Sequence, residues 1–297
     1  MSEADATGAG EADREPAPAR VGVMGGGRMG AGIAHAFLLA GSHVVVVERD
    51  EEAARSAGER IAESIRRSVE RGGTVRGVDE AFARLVTGTA PTLLADRDLV
   101  IEAVPEDRRL KTETLRRIEG AAPHAVLATN TSSIPIDDLA AALARPDRFL
   151  GLHFFNPVPS SALIEIVTGT ATDAALVEAA RTWAAALGKT AIVVRDAPGF
   201  ASSRLGVALA LEAIRMVEEG VATPADIDAA MELGYRHPAG PLRTTDLVGL
   251  DVRLGIAEEL HAAFGERFAP PRLLRDMVAD GRLGRKSGRG FYEWSPS

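Results

Sequence analysis

A chain of 297 residues, 46% hydrophobic and 26% charged, is long enough for two separate cores and has an ordinary globular composition. Its formal net charge of −8 argues against general affinity for nucleic acid or anionic membrane, so a phosphate-bearing ligand needs a local basic cluster. The absence of cysteine excludes disulfides, thiol catalysis and zinc–thiolate sites, and no apolar run approaches the roughly 18 residues of a membrane span.

Residues 1–19 are acidic, rich in Ala and Gly, and lack an apolar core. They fit neither a secretory signal nor an Arg-rich transit peptide and are expected to form a disordered tail on a cytoplasmic protein. From Arg20 the pattern sharpens. A short apolar strand, Val21 to Met24, runs into Gly25-Gly26-Gly27-Arg28-Met29-Gly30, followed by an apolar helical run and a second strand, Val44 to Val47, closed by Glu48. This is G-x-G-x-x-G between a strand and a helix, with an acid about 20 residues on, the arrangement that binds a dinucleotide. Gly25 permits the tight turn, Gly27 lets backbone amides approach a pyrophosphate, and Gly30, helped by Gly32, lets the helix pack closely. Phosphates then meet the positive helix end. Glu48 is suited to the adenine ribose hydroxyls and would repel a 2′-phosphate, so NAD is the expected cofactor; Arg49 beside it leaves NADP open.

A charged helix is expected from Glu51 to Arg71. At helical spacing Arg60, Arg67 and Arg71 lie within about 20° of one direction, with Ser64 nearby. Such a face could receive a nucleotide-tailed substrate; from pattern alone, a solvated face paired with Glu59, Glu63 and Glu70 is the favoured reading. Further strands are expected at Leu85–Gly88, Leu99–Ala103, Val126–Thr129, Phe149–His153, Ala162–Val167 and Ala191–Val194, with helices at 107–120, 137–144 and 173–187. This alternation predicts an α/β fold, a mostly parallel sheet with crossover helices, over residues 20–196. The character changes at Asp196-Ala197-Pro198-Gly199-Phe200. Beyond it helical periodicity dominates, and the run Phe200–Val217 is apolar around most of its circumference, with Pro198 read as sitting near the helix start. Residues 197–297 therefore read as an all-α C-terminal domain and a plausible subunit interface.

In an open parallel sheet, ligands sit beyond the carboxyl ends of the strands. Four polar groups follow strands here: the glycine loop, Glu106, Asn130-Thr131-Ser132-Ser133, and His153 ahead of Phe154-Phe155-Asn156-Pro157. His153, alone among six histidines in this placement, is the candidate base. Glu165 lies inside an apolar strand, where a carboxylate is costly unless paired. Pairing with His153 would orient the imidazole, as in known triads. A packed structural histidine and an edge-strand acid are the competing readings. Ser132 could contact a reacting oxygen and Asn156 could hold the histidine loop or the substrate, though both residue types are common in turns. No metal is expected.

The segments GGGRMGAGIA, VIEAVPED, ATNTSS, HFFNPV, DAPGF, GPLRTTDLVGLD and GRKSGRGFY together resemble the L-3-hydroxyacyl-CoA dehydrogenase family, particularly its bacterial 3-hydroxybutyryl-CoA members, over nearly all of Arg20–Trp294. The resemblance implies a Rossmann-type domain followed by a helical domain that forms a homodimer, and NAD-dependent interconversion of (S)-3-hydroxyacyl-CoA and 3-ketoacyl-CoA. It implies His153 as catalytic base, Glu165 as its orienting acid, Ser132 as a substrate-oxygen contact and Asn156 as a loop asparagine. Cofactor contacts fall at Gly25, Gly27, Arg28, Met29, Gly30, Glu48, Glu106, Lys111 and Asn130. CoA contacts fall on the helix carrying Ser64, Arg67 and Arg71, which turns the reading of that face toward substrate. One departure stands out: where the family has I/V-x-N-R, this chain reads Ala201-Ser202-Ser203-Arg204, so Ser203 replaces an active-site asparagine. A net hydrogen bond is worth about 0.5–1.5 kcal/mol, so the change could tune rate or specificity about tenfold. The alternatives are the same chemistry on an acyl-carrier-protein thioester or another 3-hydroxy acid, and an inactive NAD-binding structural or sensor protein.

Overall fold

The β-branched runs become eight strands of one sheet: β1 (Arg20–Met24), β2 (His43–Val47), β3 (Leu85–Gly88), β4 (Leu99–Glu102), β5 (Val126–Thr129), β6 (Phe149–Phe154), β7 (Leu163–Thr168) and β8 (Thr190–Arg195). The computed structural model describes residues 17–70 and 78–295. Their spatial order is β3-β2-β1-β4-β5-β6-β7-β8. Every neighbouring pair is parallel except β6 and β7. The exception follows from the connection. Parallel neighbours need a crossover of a dozen or more residues, whereas residues 155–162 form only a short loop and the chain turns back on itself.

Apart from β3–β4, joined through a 3-10 turn at Pro91–Leu94, helices fill the other connections: α1 (Arg28–Leu39), α2 (Glu51–Glu70), α3 (Val78–Ala83), α4 (Arg108–Ala121), α5 (Ile136–Ala140) and α6 (Ala174–Ala186). Asp107 and Asp173 cap α4 and α6, each accepting a backbone N–H from the first turn. The core is built from the periodicities seen in the sequence. Val21, Val23, Val44, Val46, Leu99 and Ile101 are buried in the sheet, and Ala54, Ala57, Ile61 and Ile65 line one face of α2. Burying each large apolar side chain is worth about 1.5–3 kcal/mol. Because strand order reverses beside β1, a crevice opens at the carboxyl ends of β1 and β4.

Two compact units emerge, one ending at Asp196 and the other starting at Ala197. Of the expected tail, residues 1–16 lie outside the described residues. Pro18 and Ala19 are already engaged, their carbonyls accepting from the Ser42 hydroxyl and the His43 N–H. In the second unit the long apolar run forms α7 (Ser202–Glu218), followed by α8 (Pro224–Ala229) with a π-helical extension over Ala230–Gly234, α9 (Pro241–Val248), α10 (Leu250–Phe264) and α11 (Arg272–Ala279). The start of α7 differs from the expectation. Gly199 and Phe200 have φ of +72° and +49°, so Pro198 belongs to a left-handed turn ahead of the helix and not to its first turn. Buried Val207, Leu211, Ile214, Leu242, Leu260 and Leu274 make this unit's core. Its closing segment is tied down by Asp246, which accepts from the Phe291 and Tyr292 amides and the Trp294 indole. No described helix is long and apolar enough to cross a membrane, and no described group of three or more His, Asp or Glu could hold a metal ion.

Candidate active site

At the end of β1 the chain turns through Gly25, whose φ of +98° a larger residue would adopt only under strain. Gly27 then opens α1 with no side-chain cap, and no acid lies in the helix's first turn. A Cβ on Gly27 would meet nothing within 4 Å, so this helix end faces open space with its amides exposed. That is the cradle a pyrophosphate needs. Gly30 serves the opposite purpose, since a Cβ there would drive into the carbonyl oxygen of Gly25; Gly32 lies against Val158 and not against the sheet. Arg28 is exposed on the first turn of α1, while Met29 is half-buried against the core. Glu48, directly after β2, accepts the Gly26 N–H at 2.6 Å and the Arg49 N–H at 3.1 Å, which fixes its carboxylate at the glycine loop. The loop, the uncapped helix end and the acid fit a dinucleotide.

Farther along the sheet, His153 stands directly opposite Glu165 in the antiparallel β6–β7 pair. Directly opposed residues project from the same face, and His153 Nδ1 lies 2.7 Å from Glu165 Oε2. The Glu165 side chain is fully buried and that of His153 is 8% exposed. A buried carboxylate is costly unless paired, and a donating Nδ1–H would satisfy Glu165 and orient the ring. The Phe155 ring packs on the imidazole at 4.5 Å between centroids. Asn130, at the end of β5, accepts the Phe154 N–H at 2.9 Å and so ties the neighbouring loop to the strand that carries His153. Asn156 follows in an exposed loop through a cis Asn156–Pro157 bond.

The Asn130–Ser133 loop is organised by Glu106. Its Oε1 accepts the Thr131 hydroxyl at 2.6 Å and the Ser132 and Ser133 amides at 2.9 and 3.1 Å; the Ser132 hydroxyl lies 3.3 Å away. Burial opposes the charge on Glu106, but Lys111 and these hydrogen bonds outweigh it and hold the carboxyl below the usual glutamate value. The Lys111 ammonium, 1% exposed, has two oxygens of Glu102, the Val104 carbonyl and Glu106 around it. An ammonium has three protons, and four oxygens already surround this one. Lys111 therefore ties Glu106 to Glu102 and to the Val104 carbonyl.

On α2, Ser64 bonds His35 Nδ1 at 2.6 Å and exposed Arg67 pairs with Glu63 at 2.7 Å. Arg60 leaves the face it was assigned to and donates to the Gly26 carbonyl at 2.5 Å, bracing the glycine loop. Arg71 lies outside the described residues. In the second unit, Ser203 is half-buried in the first turn of α7, four residues before buried Val207.

Two residues escaped sequence reasoning. Glu102 is fully buried at the end of β4; its only signal was an acid closing an apolar run, with Lys111 nine residues on. Lys189 donates to the Val158 and Ser161 carbonyls at 2.6 and 2.5 Å and anchors the loop that follows His153. Burial pushes its ammonium below the usual lysine value.

The 3-hydroxyacyl-CoA dehydrogenase NAD-binding domain model matches residues 20–197, and the C-terminal domain model of the same family matches 199–294. The 3-hydroxybutyryl-CoA dehydrogenase of Mycobacterium tuberculosis is 46% identical over 280 residues, 93% of this chain and 98% of that protein. A probable 3-hydroxybutyryl-CoA dehydrogenase of Bacillus subtilis is 41% identical over 275 residues, 92% of this chain and 96% of that protein. Among solved structures, the (S)-3-hydroxybutyryl-CoA dehydrogenase from Ralstonia eutropha superposes with a TM-score of 0.90 at 39% identity, covering 94% of this chain and all of that one. Sequence motifs, the glycine cradle, the buried His–Glu pair and these matches agree: the chain belongs to the 3-hydroxyacyl-CoA dehydrogenase family of NAD-dependent oxidoreductases.

Proposed function

We propose that this protein interconverts (S)-3-hydroxyacyl-CoA and 3-ketoacyl-CoA, with the short 3-hydroxybutyryl and acetoacetyl thioesters as preferred substrates and NAD as cofactor. The observation that carries the reading is the buried His153–Glu165 pair, with His153 near the carboxyl end of β6 as the glycine loop is at the carboxyl end of β1. Bound NAD supplies the acceptor for the hydride that leaves the carbinol carbon. His153 takes the hydroxyl proton on Nε2 as the carbonyl forms. Glu165 accepts the Nδ1–H and stabilises the imidazolium, and the Ser132 hydroxyl donates to the reacting oxygen. In the reductive direction the same imidazolium returns its proton to the new alkoxide.

Gly25, Gly27, Glu48 and Arg28 would hold the dinucleotide. NAD is favoured over NADP because the Glu48 carboxylate sits at the loop and the neighbouring Arg49 guanidinium is turned to Asp50 at 2.9 Å. Ser64 and Arg67 on α2, together with Arg71, are the proposed CoA contacts, and Ser203 the residue that tunes substrate choice. A homodimer and a cytoplasmic location complete the proposal. The second unit exposes Leu205, Leu233 and Tyr235, large apolar side chains that a partner subunit would cover.

The test is His153→Gln. With acetoacetyl-CoA and NADH, turnover is expected to fall by about 10²-fold or more, the share general acid–base catalysis contributes, while NAD affinity stays unchanged. Unchanged turnover removes the assigned base. A panel of C4 to C16 3-ketoacyl-CoA thioesters, with a carrier-protein thioester beside it, assigns the substrate; preference for the carrier-bound form would overturn CoA as the handle.

A further inference from the structure

Beneath the loop that presents Ser132, a second carboxylate–cation pair is buried more deeply than the first. Glu102 and Thr129 are both 0% exposed and face each other in the β4–β5 register. Glu102 Oε1 accepts the Val104 N–H at 2.7 Å and Lys111 Nζ at 2.9 Å; Oε2 accepts the Thr129 hydroxyl at 2.6 Å and Lys111 Nζ at 3.1 Å. Lys111 reaches on to Glu106 at 3.3 Å, and Glu106 gathers Thr131, Ser132 and Ser133. Glu102 therefore grips the loop at two points, at its root through Thr129 and near its tip through Lys111 and Glu106.

Stability alone does not call for this construction. An ion pair removed from water recovers little of its desolvation cost, and apolar residues of similar volume are often as stabilising. A fully satisfied pair does, however, impose one geometry on the groups it touches. We propose that Glu102 is a positioning residue for the dehydrogenase reaction, fixing Lys111 and Glu106 so that the Ser132 hydroxyl is held where the reacting oxygen binds. The proposal rests on the reading of Ser132 as that contact.

A double-mutant cycle on the full-length enzyme, with acetoacetyl-CoA and NADH, separates positioning from general structural support. Glu102→Gln keeps the shape and removes the charge that anchors Lys111. It is expected to lower kcat about tenfold, with the KM for acetoacetyl-CoA changed less than threefold. In a Ser132→Ala background the same change is expected to cost less than twofold, because the group it positions is already gone. Should Glu102→Gln fail to fold, Thr129→Val removes only the grip at the loop root. It is expected to lower kcat about threefold in the wild-type background and to have no effect with Ser132→Ala. Independent, multiplying losses in either cycle overturn the proposal while leaving the role of Ser132 intact. A Ser132→Ala enzyme turning over at the wild-type rate removes the reading beneath it, and the proposal falls with it.

Discussion

Two glycines three residues apart in the first loop separate cofactor binding from folding. Gly27 has φ −60° and ψ −167°, a backbone any residue adopts, and a Cβ there points into open space. Alanine is a poorer N-cap than glycine, at a cost of about 0.5–1 kcal/mol. It also restricts the unfolded chain, which returns about 0.4–1 kcal/mol. Gly27→Ala is therefore expected to melt within about 2 °C of the wild type. The added methyl nevertheless occupies the approach to the amides at the helix end. Loss of one charge-assisted hydrogen bond to phosphate, about 1.5–3 kcal/mol, weakens NAD by about 10- to 150-fold. Gly30→Ala inverts the outcome. As a helix former alanine gains about 1 kcal/mol, but its Cβ falls inside the 3.0 Å limit of real contacts against the Gly25 carbonyl, a backbone group that cannot swing aside. Overpacking costs about 1–3 kcal/mol where side chains can yield; here the net loss is expected to be at least about 2 kcal/mol, or about 4–8 °C in Tm for a unit of this size. Thermal melts and titration of NADH fluorescence measure both quantities. A Gly27→Ala protein that binds NADH at wild-type strength would refute the placement of the phosphates, and a Gly30→Ala protein of full stability would refute the packing argument.

Three further outcomes follow from the geometry. Glu165→Gln keeps the contact to His153 but loses the charge that opposes the imidazolium. At about 1.5–3 kcal/mol for a hydrogen bond to a charged group, kcat should fall about 10- to 150-fold with NAD affinity unchanged, and a loss under twofold would deny the pair its role. Glu106 is held below the usual glutamate value, near 4.3, so its charge stabilises the fold above that pH and the contribution is lost as pH falls through the lowered folded value. Urea melts of wild type and Glu106→Gln should differ most above the usual glutamate value and converge as pH falls below the lowered folded value; a gap that widens toward acid reverses the sign and refutes it. Arg67→Glu, reversing an exposed charge already beside Glu63, should raise the KM for acyl-CoA about 3- to 10-fold, on the order of 1 kcal/mol, and leave that for NAD unchanged. Equal effects on both would return Arg67 to a solvated face.

The features legible in the sequence were those carried by local period or local cost. Strand, glycines, helix and acid sit within about thirty residues, and the structure spends each where the spacing placed it. The His153–Glu165 pair was legible because a carboxylate inside an apolar strand demands a partner, and the short loop between β6 and β7 leaves an antiparallel return as the way to supply one. Glu102 escaped for the opposite reason. An acid that closes a strand looks like the start of a loop, and only the return of α4 shows that Lys111 covers it. Arg60 shows the limit of helix-wheel arithmetic: direction at the backbone does not fix the tip of a long side chain, which here reaches to Gly26. In the second unit α8, α9 and α11 run only 6 to 8 residues, too short for a 3.6-residue period to set their ends.

Two fully buried carboxylates thus stand in the sheet, Glu102 on β4 and Glu165 on β7, each with a cation-forming partner. Their partners decide what each can do. An imidazole offers a second nitrogen beyond the one bound to its carboxylate, so in the proposed reaction the Glu165 pair passes charge outward through Nε2. The ammonium of the Glu102 pair is surrounded by four oxygens, so in the proposed reaction that pair holds position. A reaction that removes a hydroxyl proton while an oxygen changes from alcohol to carbonyl needs both kinds of pair, one to accept charge as it moves and one to keep a hydrogen-bond donor still while it does.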